Sequence, residues 1–194
     1  MKRHKVNGLN FGKKRKKLNI PLIKEVFTWA VEIAIVLAAA FVLVYFIGLR
    51  TSVVGQSMAK TLDAGDEILV NRFVYKVLDP KAGDIIVFLP NGNEKSHYYV
   101  KRVIAVPGDT VQIKDGVLYL NGKEYKEEID CENMEEAGLA AEELTVGEDE
   151  YFVLGDNRNN SEDSRYSNIG NVKKEHIIGK AWFIISPFGK FGFM

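Results

Sequence analysis

The sequence predicts a mainly β protein: a single N-terminal transmembrane helix followed by a domain built as an antiparallel coiled β-sheet or partial barrel. Three observations carry this prediction. A basic arm runs directly into an apolar stretch of helical length. Beyond residue 50 the hydrophobic pattern alternates instead of running on. The alternating runs are separated by Asp-Gly and Asn-Gly, the dipeptides that favour two-residue hairpins.

The 194 residues include 26 Lys+Arg and 26 Asp+Glu, a balance that suggests one evenly charged soluble domain. The distribution contradicts that. Residues 1–24 hold nine basic side chains and no acidic one, so the other 170 residues carry 17 basic and 26 acidic side chains. A net +9 is therefore followed by a net −9.

Between the two lies the stretch 26–49, whose only charge is Glu32. As a helix it reaches about 36 Å, enough to cross a hydrocarbon core of roughly 30 Å. Its apolar residues follow no 3.6-residue period, and Trp29 and Tyr45 stand near its ends, where aromatic belts belong. A cleavable signal peptide has a shorter apolar region, and a buried core helix has no need of nine neighbouring positive charges. The bias of Lys and Arg toward the cytoplasmic side assigns residues 1–24 to a cytoplasmic arm, 25–49 to the span and 50–194 to an extracytoplasmic domain. Beside a span, the basic arm is explained by attraction to anionic lipid and not by nucleic acid.

In the outer domain, β-rich runs recur at 67–70, 84–89, 98–106, 111–114, 117–120, 150–154 and 177–185. Asp115-Gly116 and Asn121-Gly122 mark hairpins, and Pro107-Gly108-Asp109 a further turn. Residues 124–150 depart from the pattern with twelve acidic residues and one basic, Lys126; they are expected to be a solvated surface insertion, helical or mobile. The chain's one cysteine, Cys131, excludes an internal disulfide and a cysteine-based zinc cluster. It has no basic sequence neighbour to lower its pKa and is expected to be inert.

Candidate chemistry is restricted by what is missing. Two histidines, His97 and His176, lie in the outer domain, without an HExxH pattern or a Cys pair to complete a catalytic zinc site. The G-x-S-x-G elbow is absent, because Gly55-Gln56-Ser57-Met58-Ala59 lacks the second glycine. Lys101 is the better base. Strand alternation sets it on one face with Tyr99, Val103 and Ala105, and Arg102 on the other with Tyr98, Val100, Ile104 and Val106. A lysine in apolar surroundings loses solvation, favours the neutral amine and can accept a serine proton, whereas arginine stays charged. Alternation alone does not separate this from a snorkelling surface lysine.

Four motifs occur in order behind the apolar stretch: Gly55-Gln56-Ser57-Met58, Tyr99-Val100-Lys101-Arg102, Pro107-Gly108-Asp109, and the block from Gly155-Asp156-Asn157-Arg158 through Ser161, Asp163 and Arg165. Together they resemble the bacterial type I signal peptidases, membrane-anchored serine–lysine endopeptidases, over nearly the whole chain from Val26. The resemblance implies Ser57 as nucleophile, Lys101 as general base, and the Ser57 backbone N–H as an oxyanion donor. It implies that Ser161 hydrogen-bonds and orients the lysine, and that Asp163 supports this while pairing with Arg165. Asp156 and Arg158 are implied as a structural ion pair; a turn held by local hydrogen bonds is the alternative for Asp156, Asn157 and Arg158. Met58, Leu62, Ile68, Tyr99 and Val100 fall at or near positions that line substrate pockets, although each also suits a core.

The implied substrates are preprotein signal peptides cut after small residues at positions −1 and −3, and the implied mechanism requires no metal or organic cofactor. Two departures stand out. Lys60 replaces a common proline, so φ is not locked there. Gly55 replaces a serine that in some relatives adds an oxyanion donor. Neither removes Ser57 or Lys101, so activity is expected. Ser57 is eight residues beyond Leu49, at most about 29 Å of extended chain, which sets it near the outer leaflet. Phe191 and Phe193 suit lipid contact, and Trp182 and Ile184 core packing. Two other functions fit parts of the sequence: a Ser-His hydrolase using His97 or His176, and a non-catalytic membrane-tethered β module that binds preproteins. The sequence does not fix the oligomeric state.

Overall fold

The computed structural model describes residues 20–127 and 129–194, so most of the basic arm lies outside the described residues. The chain divides into two compact units, one ending at Phe41 and the other beginning at Val42.

Helix α1, Ile20–Ile47, begins in the first unit and runs into the second. It includes the first described residue, Ile20, and next to it Pro21 has a fixed φ suited to a helix and no N–H to leave unpaired. Its segment Ile20–Leu43 has a mean hydropathy of 2.4 and no buried residue. A helix of a soluble domain buries one face; this segment buries none, so by length and composition it is a candidate membrane span.

The second unit is mostly β. The strands are β1 Leu49–Ser52, β2 Glu67–Asn71, β3 Ile85–Phe88, β4 Tyr99–Ala105, β5 Thr110–Lys114, β6 Val117–Leu120, β7 Lys123–Glu124, β8 Leu144–Thr145, β9 Glu150–Leu154, β10 Val172–Lys173, β11 Ile177–Ser186 and β12 Gly192–Phe193, with a single helical turn α2 at Val74–Val77. All pairings are antiparallel. The larger sheet has the order β1-β2-β11-β3-β4-β9-β10, with β12 added against β11; the smaller has the order β7-β6-β5-β8. Every expected strand is present within a few residues. Those not anticipated are short, four residues or fewer, and too brief to show alternation.

Both anticipated hairpins form. Asp115 and Gly116 have φ of 52° and 79°, Asn121 and Gly122 of 51° and 73°, the consecutive positive values that a tight hairpin needs. Gly116 is obligatory for a second reason, since a Cβ there would lie 2.9 Å from the Met134 carbonyl oxygen.

Three clusters form the core. Val53, Met58, Leu62, Ile68, Val70, Val87 and Val100 pack in the first, around the turn that carries Ser57. The second joins the smaller sheet to Ile104, Ala105, Phe152 and Leu154, and the third packs Tyr75, Ile86, Phe88, Val103 and Tyr151. Strand alternation fails at one point. A bulge between Val103 and Ala105 in the pairing with β9 sends Ala105 into the second cluster beside Ile104, while Val103 stays with Tyr99.

The acidic stretch is not the solvated excursion expected. Met134, Ala140 and Val146 are buried in the second cluster, and β8 pairs with β5. Most of its described acidic side chains are exposed on a backbone that spaced apolar residues fasten down, while Glu127 is nearly buried. At the C-terminus Ile184 is buried and Trp182 half-buried, whereas Phe188, Phe191 and Phe193 are exposed.

Candidate active site

The site begins with a turn. Gly55 has a φ of 82°, and the chain then folds back on itself through hydrogen bonds from Ala59 N to Gln56 O at 3.1 Å and from Leu62 N to Met58 O at 2.8 Å. Met58 and Leu62 anchor this turn in the first core cluster. Ser57, one residue before the anchor, is left half-buried and facing a cleft. Among the described residues its backbone N–H donates to no acceptor.

Strand β4 brings Lys101 to the same cleft. Its side chain is buried, with 3% of the residue exposed, and Nζ lies 2.6 Å from Ser57 Oγ. Burial lowers its pKa from 10.5 to about 8, against the opposing pull of Asp163, Glu162 and Asp156. The ammonium also sits 5.5 Å from the centre of the Tyr99 ring. A serine hydroxyl and a lysine that gives up its proton near neutral pH are thus in direct contact, the arrangement that activates an alcohol for attack on a carbonyl carbon.

The loop after β9 fastens the two together. Gly155 has no room for a side chain, since a Cβ would lie 2.2 Å from Ser161 Oγ and 2.4 Å from Ser57 O. Asn157 donates its N–H to Ser57 O at 3.0 Å and its side-chain amide to Gln56 O at 3.1 Å. Asp163 accepts from Gly155 N at 3.1 Å and is clamped by Arg165 through Nε at 2.8 Å and Nη2 at 3.0 Å, all within the interior.

Three expectations require correction. Asp156 and Arg158 do not pair with each other. Asp156 takes both Arg102 Nε and Nη2, at 2.8 and 2.7 Å, plus the Thr61 hydroxyl at 2.5 Å, while Arg158 pairs with Glu127 of the acidic stretch and donates to Gly155 O. Two residues apart on a tight loop, their side chains diverge. Second, Ser161 Oγ is buried but has no hydrogen-bond partner among the described residues, so the expected bond to Lys101 is not formed; its side chain packs against Gly155 instead. Third, Met58, Leu62 and Ile68 are fully buried in the core, and only Tyr99 and Val100 of the five pocket candidates line the cleft.

Arg102 and Glu127 are the functional-loop partners that sequence reasoning passed over. Arg102 was visible as a permanent charge on an otherwise uncharged face of its strand, which must find an acid. Glu127 carried no such signal.

Lys60 has a φ of 97°, a left-handed conformation closed to proline, and its Nζ donates to the Asp130 carbonyl at 2.7 Å. Cys131 is half-buried with Sγ 3.7 Å from Asp156 O; burial raises its pKa despite Arg158 and Lys60 nearby. His97 lines the cleft but is exposed, and His176 packs against Gly92. Neither hydrogen-bonds Ser57 among the described residues. No group of three or more His, Cys, Asp or Glu there is arranged to hold a metal ion.

A model of the family described as signal peptidase, peptidase S26, matches residues 26–186. The signal peptidase I of Bacillus licheniformis is 39% identical over 171 residues, covering 84% of this chain and 90% of that protein. Signal peptidase I P of Bacillus subtilis subsp. natto is 39% identical over 184 residues, covering 91% and 95%. Signal peptidase IB of Staphylococcus aureus (strain COL) is 34% identical over 185 residues, covering 87% and 93%. A crystal structure of a signal peptidase I from Enterococcus faecalis V583 is 36% identical with a TM-score of 0.43, covering 54% of this chain and 97% of that one. The chain therefore belongs to the signal peptidase family, peptidase S26, and is a serine endopeptidase.

Proposed function

We propose that the protein is a membrane-anchored signal peptidase that removes N-terminal signal peptides from exported preproteins with Ser57 as nucleophile and Lys101 as general base. One observation carries this reading: a buried lysine nitrogen 2.6 Å from a serine hydroxyl at the floor of an open cleft. Neutral Lys101 takes the Ser57 proton as Oγ attacks the scissile carbonyl. The oxyanion of the tetrahedral intermediate accepts a hydrogen bond from the unengaged Ser57 N–H. Lys101 returns its proton to the leaving amine, giving an ester on Ser57. It then deprotonates water, whose attack on the ester releases the cleaved signal peptide and restores Ser57.

The relatives named signal peptidase I support the substrate class. An extended peptide entering the cleft pairs with backbone beside Val54 and Tyr98, with alternate side chains turned inward. Small residues at −1 and −3 suit a floor already filled by core side chains. Anchoring is supported by the unburied apolar segment Ile20–Leu43, and an extracytoplasmic side for the cleft by the nine basic residues among positions 1–24. Lipid is thus a standing partner, and no step calls for a metal or organic cofactor.

The test is preprotein cleavage in detergent or liposomes by the wild type, Ser57→Ala and Lys101→Ala. Both variants are expected to lose at least about 100-fold in kcat/KM, the lower end for removal of a general base. Retained cleavage by Lys101→Ala with loss in His97→Ala would instead favour the serine–histidine alternative. Cellular function preserved in Ser57→Ala would favour a binding module.

A further inference from the structure

Glu162 stands between two buried residues, Ser161 and Asp163, yet is itself exposed and lines the cleft with Ser57, Tyr99 and Lys101. Its carboxylate is not free to swing. The Tyr99 hydroxyl donates to Oε2 at 2.9 Å, and Asn168 Nδ2 donates to Oε1. Both donors are neutral. Among the described residues no Lys, Arg or His lies within ion-pair distance of it.

The rest of the cleft makes this charge matter. Its other lining residues are uncharged apart from His97 and Lys101, and Lys101 is neutral in the form that starts the reaction. Among the described residues that line the cleft, Glu162 is therefore the one acidic side chain that a bound peptide meets. Two hydrogen bonds occupy two of the roughly four lone-pair positions of a carboxylate, so room remains for a cation. Because those bonds already hold the side chain, a substrate cation meets a pre-set partner, without the ordering cost that weakens most exposed ion pairs. Lys101 Nζ is 5.5 Å from the Tyr99 ring centre, and Glu162 is one hydrogen bond beyond that ring's hydroxyl. Side chains within about three extended residues of the scissile bond can reach it.

We propose that Glu162 is a specificity-determining residue that selects for a basic side chain, and against an acidic one, close to the scissile bond of the bound peptide. The inference rests on the Ser57–Lys101 reading, which makes this cleft the peptide site.

The experiment uses the full chain in detergent micelles. The substrates are signal-peptide segments with a single Lys, Ala or Glu at each of the three positions on either side of the cleavage site. For the wild type, kcat/KM for Lys over Glu is expected to be about three- to ten-fold at one or two positions and to shrink as salt is added, as for a surface ion pair. Glu162→Gln should bring that ratio near one, Glu162→Lys should invert it, and Glu162→Asp should restore part of it. Comparing two substrates on one enzyme cancels any change in Lys101 basicity, and the Ala peptide is each variant's own reference. A Glu162→Gln ratio equal to the wild-type ratio at every position overturns the proposal. In that event, cleavage of the Ala peptide by wild type and not by Ser57→Ala leaves the underlying reading standing. Cleavage by Ser57→Ala at the wild-type rate removes both.

Discussion

In helix α1 the apolar side chains face outward: from Ile20 to Leu43 none is buried. In the loop between β9 and β10 four of the five charges face inward: Asp156, Arg158, Asp163 and Arg165 are all buried, and Glu162 alone is exposed. Each region reverses the pattern of a soluble domain, and each reversal has its own condition. Exposed apolar surface on this scale is stable where the surroundings are hydrocarbon. Buried charge is stable where each ion has a partner and hydrogen bonds to spare, as Asp156 has from Arg102 and Thr61, and Asp163 from Arg165 and the Gly155 N–H. Lys101 is buried like the loop charges yet has no ion-pair partner within 4 Å among the described residues. What the loop avoids, Lys101 tolerates: an uncompensated ion that is easily discharged.

Arg165→Met breaks the comparison most strongly. It leaves Asp163 in the interior without its ion-pair partner, and the expected loss is about 3–5 kcal/mol, read as a lowered denaturation midpoint in detergent. Lys101→Met should do the opposite. With its pKa at about 8 when folded and 10.5 when unfolded, Lys101 costs stability in full below pH 8, and the cost fades as pH rises toward 10.5. Below pH 8 the methionine variant is expected to be more stable by about 3 kcal/mol, with no difference above pH 10.5. Equal midpoints at pH 7 would mean that Lys101 is not held at a cost. Under the proposed Ser57–Lys101 mechanism, kcat/KM should rise about tenfold per pH unit below pH 8 and level off above it, because only the neutral amine accepts the proton.

On the helix side, Ala38→Asp puts a carboxylate near the middle of the apolar stretch. It should cost about 2.5–3.5 kcal/mol of insertion, seen as protein released from membranes by alkaline carbonate. Full retention would argue against a bilayer around α1. The smallest effect belongs to Lys60. Lys60→Gly relieves a left-handed φ worth about 1 kcal/mol, less the lost contact with Asp130. Lys60→Pro cannot adopt that φ and should destabilise the turn and lower cleavage. A thermal melt of both variants separates them.

Much of this architecture could be anticipated from local pattern. The apolar run, the alternating strands and the two hairpins each depend on residues adjacent in the chain, so periodicity and turn chemistry were enough. The bulge at Ala105 was not foreseeable from alternation, because it arises in the pairing with β9. The charge pairings were hidden for a similar reason. Arg102 and Asp156 are 54 residues apart, and Arg158 and Glu127 are 31 apart, so nearness along the chain suggested the wrong partner for Asp156.

The candidate site divides the same way. Residue type and motif order singled out Ser57 and Lys101, but their 2.6 Å contact depends on β4, the anchored turn and the loop at Gly155 closing together. The pocket candidates Met58 and Leu62 went to the core because a turn that presents Ser57 must bury its next apolar residues to be held in place. By itself, the sequence determined the apolar helix, the longer strands, the two hairpins and the charge asymmetry, all set by local chemistry. Tertiary structure alone decided which charges meet, how far Lys101 is removed from water and where Glu162 points, because these depend on distances between segments remote along the chain.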